Sequence, residues 1–227
     1  MTWDLRHPAP DPVDLSTPGF SPPWVTPPEG PLVAPGSYRV ELALVSSAGV
    51  ESLGEPQAFE VKPVPTAPDG TDFNAVAAFQ LEASDLMRRV SAAGQQMGEV
   101  SERLRHMRAA LVETPGADAS LFNRLDEVGA SLTALRTRLN GDPIRGQLNE
   151  ASSPSVRGRV GLVTNGHWGT RQMPTQTQRS NLEIASGDFA TLSQELSALM
   201  EGPLAQLESD LAAAGAPWTP GRRTPPR

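Results

Sequence analysis

The chain has 227 residues and no cysteine. That removes disulfide bridges, a thiolate nucleophile and cysteine-ligated zinc together. It does not fix the compartment, because many exported proteins also lack cysteine. Lysine is almost absent: Lys62 stands alone against eighteen arginines, which reads as a coding bias of the source rather than a binding signal. No basic stripe exists to neutralise phosphates and the formal net charge is −7, so nucleic acid is not an expected partner. No apolar run approaches the roughly 20 residues that cross a bilayer. After Met1, Asp4 and a string of prolines stand where the apolar stretch of a signal peptide would be, so any export signal must lie outside this sequence. The sequence also lacks a Gly-x-Ser-x-Gly elbow, a phosphate-binding glycine loop and any Asn-x-Ser/Thr acceptor.

What the sequence does contain changes character near residue 70. Fourteen of the 23 prolines lie before that point, and residues 1–70 carry nine acids against three bases. Proline lacks a backbone donor and blocks helix interiors, so this part must be strands and loops. From Ser37 to Val45, Tyr38, Val40, Leu42 and Leu44 alternate with Arg39, Glu41 and Ala43, which predicts one strand with a buried and a wet face. Pro35-Gly36 supplies the turn before it. Gln57–Lys62 reads as a second strand, SSAGVESLGEP as the hairpin loop between them, and Trp3-Asp4-Leu5-Arg6 as a third strand. Residues 7–36 read as irregular chain crossing the sheet edge.

Beyond Gly70 the period becomes helical. Phe79, Ala83, Leu86, Val90, Ala93, Met97, Val100, Leu104, Met107 and Leu111 follow one another at spacings of three and four. Thr71 or Asp72 can cap the start and Pro115-Gly116 ends the run, predicting a rod of roughly 60 Å. Leu121, Leu125, Val128, Leu132, Leu135 and Leu139 repeat the pattern up to Asn140-Gly141-Asp142-Pro143. A shorter segment carries Val156, Val160 and Val163 and is expected to break at Asn165-Gly166. The last arm holds Leu182, Ala185, Phe189, Leu192, Leu196, Leu199, Leu204, Leu207 and Leu211, with Pro203 expected to kink or divide it. Each stripe is a narrow seam with polar flanks, so none of these helices is stable alone in water. The matching lengths predict a long antiparallel helical bundle with a broken middle arm over 71–215. Residues 216–227, with Trp218 and three arginines, are expected to be a disordered tail.

A glycosidase needs two carboxylates about 5–10 Å apart in a sugar-sized cleft. Asp126-Glu127 are sequence neighbours on a helix and diverge, while Glu99 and Glu102 lie beside Arg103 and Arg105 as surface ion-pair partners. Glu102 and His106 stand at i and i+4, yet no second histidine pair accompanies them; His7 is isolated. No catalytic group, metal site or cofactor is therefore expected. The stretch TNGHWGTRQMP is the most unusual in the helical half. His167 and Trp168 are either a contact loop, with the indole as a stacking platform, or a packed end of the helices with its N–H satisfied locally; packing is favoured.

Trp3-Asp4-Leu5-Arg6, followed at a distance by Gly30-Pro31-Leu32-Val33-Ala34-Pro35-Gly36-Ser37-Tyr38-Arg39-Val40-Glu41-Leu42, resembles a recurring Ig-like module similar to that of flagellar hook-capping proteins. Strands followed by a helical tail resemble the C-terminal region of bacterial sortilin-like (Vps10-like) BNR-repeat proteins, often labelled glycosyl hydrolases. The resemblance implies an α+β chain in two parts: a small, incomplete Ig-like antiparallel module with a Pro-rich loop over 1–68, then the helices of 71–215. In that family a propeller precedes the Ig-like strands, whereas only Met1 and Thr2 precede Trp3 here. The resemblance thus implies a C-terminal piece of a longer secreted or periplasmic protein. Its function would be a non-catalytic accessory module that supports or docks the propeller, and no catalytic residue carries over. The alternatives are a fragment of a glycan-acting hydrolase whose catalytic part is absent here, and a structural protein that self-associates through its helices.

Overall fold

A computed structural model describes residues 2–13, 20–25, 29–65 and 69–222. The expectations for Met1, for parts of the Pro-rich stretch and for residues 223–227 concern residues outside these. The chain is mixed α and β, with strands before Lys62 and helices after Asp72. Strand β1 (Gly36–Val40) pairs antiparallel with β4 (Gln57–Val61), and β2 (Ala43–Ser46) pairs antiparallel with β3 (Gly49–Ser52). These two small sheets are halves of one bent hairpin. Leu53 N–H donates to the Leu42 carbonyl at 2.8 Å, carrying the β2–β3 register one pair further. Two residues then separate β1 from β2 while four separate β3 from β4, so the second arm bulges around Gly54 and Pro56. The continuous strand expected from Ser37 to Val45 is therefore broken, and the expected loop SSAGVESLGEP contains strand β3 and a tight turn at Ser47-Ala48.

The half-buried face expected of that strand is also corrected. Val40, Leu42 and Leu44 are 56%, 63% and 50% exposed, because nothing among the described residues covers them. Apolar–polar alternation reports which residues share a face; it cannot report whether a second layer lies on it. Among the described residues only the base of the hairpin is packed. Tyr38 and Phe59 are directly paired, with ring centroids 6.0 Å apart, and Trp3 lies 5.6 and 5.9 Å from them. Trp3–Arg6 is not a strand. Leu5 sits at φ +62°, and Asp4 Oδ1 accepts the Arg6 N–H, so the chain turns and leaves one bridge, Arg6 to Leu32. Gly30 permits this crossing, since a Cβ there would lie 2.0 Å from the His7 carbonyl oxygen.

The helices are α1 (Phe73–Val112), α2 (Ala119–Asn140), α3 (Pro143–Gln147), α4 (Val156–His167), α5 (Gln176–Leu199) and α6 (Ala205–Ala213). Their starts are chemically marked: Asp72 accepts from Ala75 N–H, Asp118 from Ser120 N–H, Ser155 from Gly158 N–H, and Thr175 and Gln178 form a capping box. The 40 residues of α1 make a rod of about 60 Å. Every apolar residue of the four seams is buried, and together they form one core cluster. Both α2 and α4 pack between α1 and α5. Side-chain pairs fix the directions. Arg108–Asp126 and Arg136–Ser101 reverse order between α1 and α2, as do Arg124–Asp210 and Arg138–Glu195 between α2 and the last arm. At Pro203 the last arm divides through a π-helical turn, Met200–Leu204. The proline has no N–H to give and its ring would crowd the carbonyl four residues back, which a wider turn relieves.

Two expectations fail in this half. Helix α4 does not stop at Asn165-Gly166 but runs on to His167. The tail does not fray at Gly215: Ala216 packs on the core, Thr219 and Arg222 are buried, Trp218 Nε1 donates to the Arg222 carbonyl at 3.1 Å, and Gly221 lies against the Arg103 side chain. Arg222 in turn donates to the Pro217 carbonyl at 2.8 Å, so the segment closes on itself and holds its turn over α1.

Candidate functional site

The polar residues that converge most closely lie where α1 begins, α4 ends and the hairpin base approaches. His167 closes α4 with its ring 1% exposed. Gln80, equally buried on α1, donates its amide N–H groups to His167 Nδ1 at 3.1 Å and to the His167 carbonyl at 2.9 Å. On the far side of the ring, Nε2–H donates to the Gln172 carbonyl at 2.9 Å. One nitrogen accepts and the other donates, so the partners select the neutral Nε2–H tautomer. Phe79 meets the imidazole edge-on at 5.3 Å, and the Arg179 guanidinium covers Phe79. Burial pushes the imidazole below the ordinary histidine value; the Gln172 hydrogen bond opposes this and the nearby Arg179 charge adds to it. A neutral histidine held between an amide and a carbonyl has no free lone pair for a metal or a substrate proton.

His167 and Trp168, named from the sequence as a possible contact loop, are thus a helix end and its cap rather than a loop. Trp168 is half-buried, and its indole N–H finds no acceptor among the described residues, contrary to the locally satisfied N–H expected. Gln80 was missed, although it sits one turn ahead of Ala83 in the seam.

Beside this cluster a crevice of about 120 Å³ opens between the hairpin base and α1, lined by Leu32, Val61, Phe73, Val76, Gln80 and Arg171. Ligand pockets usually span about 300–1,000 Å³, so a sugar ring does not fit. Wider hollows along the helices are shallow. One of about 480 Å³ holds Asp142 and Asp188 with Arg138 and Arg145, and one of about 310 Å³ holds Glu82 and Glu183 with Arg179. Asp142 there already caps α3, accepting from Ile144 N–H at 2.9 Å. The other carboxylates considered are engaged or scattered. Glu102 pairs with Arg105, Asp126 pairs with Arg108, and His106 is exposed on α1. No group of three or more His, Asp or Glu able to hold a metal ion occurs among the described residues, and no described helix is long and apolar enough to cross a membrane.

The other unusual surface is the outer hairpin. Leu42, Leu44 and Leu53 share one face, Val45 and Val50 the other, and all five are half exposed or more. Between Val40 and Gln57 the only charges are Glu41, Glu51 and Glu55. No family model, no curated protein and no solved structure matches this chain.

Proposed function

We propose that the chain is a non-catalytic interaction module. An incomplete Ig-like strand unit presents the contact surface, and a long antiparallel helical bundle with a broken middle arm supports it. On the resemblance of WDLR and the GPLVAPGSYRVEL stretch, the module is the C-terminal part of a larger sortilin-like BNR-repeat protein, where it would support or dock the propeller. The observation that carries this reading is the contrast between the halves. The helical interior is filled by leucine, valine and methionine and the hollows along its surface are shallow, while the hairpin leaves Leu42, Leu44, Val45, Val50 and Leu53 in water. Exposed contiguous apolar surface is costly for a lone domain and favours contact.

The test has two arms. The chain alone, given a panel of oligosaccharides, should show no turnover above blank. An isolated propeller of a sortilin-like BNR-repeat protein should bind it, and a Leu42→Ser/Leu53→Ser variant should lose that binding. Hydrolysis by the chain would overturn the non-catalytic reading, and absence of propeller binding would remove the parent assignment.

A further inference from the structure

We infer that the free edge of β2 is a pairing edge for a second copy of this chain, joining two hairpins into a four-stranded antiparallel sheet in the order β3, β2, β2, β3. The inference goes beyond the docking of a propeller, because it concerns the backbone edge rather than the sheet faces.

The hydrogen bond from Leu53 N–H to the Leu42 carbonyl sets the phase of the ladder. Antiparallel pairs alternate between those that exchange hydrogen bonds and those that do not. Within the hairpin, Leu42–Leu53, Leu44–Glu51 and Ser46–Gly49 are therefore bonded pairs, while Ala43–Ser52 and Val45–Val50 are not. Ala43 and Val45 consequently direct N–H and C=O outward, away from β3. No strand pairs with that side among the described residues. Edge strands are ordinarily defended by lysine, proline, an inward charge or a bulge. From Leu42 to Val50 this edge has none of them: the stretch is LALVSSAGV, without a single charge.

Charge and phase together choose the occupant. Only residues that point outward can bond across the new interface, so a two-fold axis must pass through a residue of the chain. With the axis at Leu44, each Ala43 faces Val45 of the other copy in a bonded pair, and the two pairs exchange four hydrogen bonds. Leu44 then meets Leu44 of the second copy in the closer, non-bonded pairing. Leu42 falls opposite Ser46, and Glu41 falls opposite Ser47, so no acid opposes an acid. The free edge of β3 lacks this fit because Glu51 lies within it. A two-stranded ribbon is marginal in water, and three or more strands sharing an apolar face are not. Pairing brings Leu42, Leu44 and Leu53 of both copies onto one continuous face.

Sedimentation of the full chain over a wide concentration range tests this. The wild type should pass reversibly from monomer to dimer. Val45→Pro removes one outward donor per copy without touching the β2–β3 ladder, and should weaken the dimer roughly ten- to hundredfold. Leu44→Lys sets two ammonium groups against each other at the axis while giving Glu51 a cross-strand partner inside the hairpin, so it should abolish the dimer with the hairpin intact. Ser52→Pro, on the free edge of β3, should leave the dimer unchanged. A chain that stays monomeric, a dimer indifferent to Leu44→Lys and Val45→Pro, or a dimer equally lost with Ser52→Pro overturns the inference. The hydrolysis and propeller-binding results are read on separate assays and stand whichever way this one falls.

Discussion

Replacing Gln80 by leucine tests whether the buried polar knot at the end of α4 is structural. The two side chains have similar volume, so little cavity is made and the change is mainly electrostatic. In the variant the His167 carbonyl keeps a donor, the Thr170 N–H at 3.0 Å. His167 Nδ1 does not. The ring cannot escape by switching tautomer, because Nε2–H is needed by the Gln172 carbonyl at 2.9 Å. One buried acceptor is left bare, and such a group costs about 1–3 kcal/mol. For a domain of this size each kcal/mol moves Tm by about 2–4 °C. Urea unfolding at neutral pH, followed by far-UV circular dichroism, should show the midpoint falling with the slope m unchanged. Adding His167→Phe removes the bare nitrogen and should recover part of the loss, since deleting both partners is milder than deleting one. Acid gives a second reading of the same site. The folded-state pKa of His167 lies below its unfolded value, so the unfolded chain takes up the proton first. The stability this neutral ring contributes is present above about pH 6.5 and is lost as pH falls from there through the depressed folded value. His167→Phe should flatten that part of the pH profile. A Gln80→Leu variant as stable as wild type, or a profile unchanged by His167→Phe, would show that the histidine is solvated and that the hydrogen-bond argument is wrong.

Two further predictions concern the hairpin half. A chain lacking residues 1–65 should keep its helical circular dichroism and cooperative melting, because every member of the core cluster lies at Phe79 or beyond; loss of helix on that deletion would rule out independent folding. Gly30→Ala drives a Cβ into the His7 carbonyl. It should speed hydrogen exchange at the His7 and Val33 amides, which cross that junction, while leaving protection of α1 and α5 unchanged; full protection at both amides would refute the close approach.

The seams were legible because the helical period is set by geometry alone: residues three and four apart share a face whatever surrounds them. The same rule reaches the polar knot. His167 extends Val156, Val160 and Val163 by one more step, and Gln80 precedes Ala83 by another, so both lie in their stripes. Asn165-Gly166 reads as a stop and hides His167, while Gln80 is hidden by being a polar residue in an apolar stripe. Glycine within a helix costs only about 1 kcal/mol, and the buried contacts of His167 outweigh it. Nor could local sequence announce the fate of the tail, which depends on Gly221 finding the Arg103 side chain far away in the chain. The strand failed differently. Alternation from Tyr38 to Leu44 is real, but the bend at Glu41-Leu42 arises from unequal connections on the two arms, visible only once Leu53 is seen to pair with Leu42.

That difference also locates where binding energy can come from. A ligand could enter the helical core only by displacing side chains such as Leu192 or Leu204, both fully buried, and exposing each leucine costs about 1.5–3 kcal/mol. Contact at the hairpin carries no such cost. Leu42, Leu44, Val45, Val50 and Leu53 already face water, and each Å² of apolar surface they lose on association returns about 25 cal/mol. Partners should therefore be sensitive to substitutions between Val40 and Gln57 and largely indifferent to conservative repacking of the helices, which act on binding only through the stability of the support.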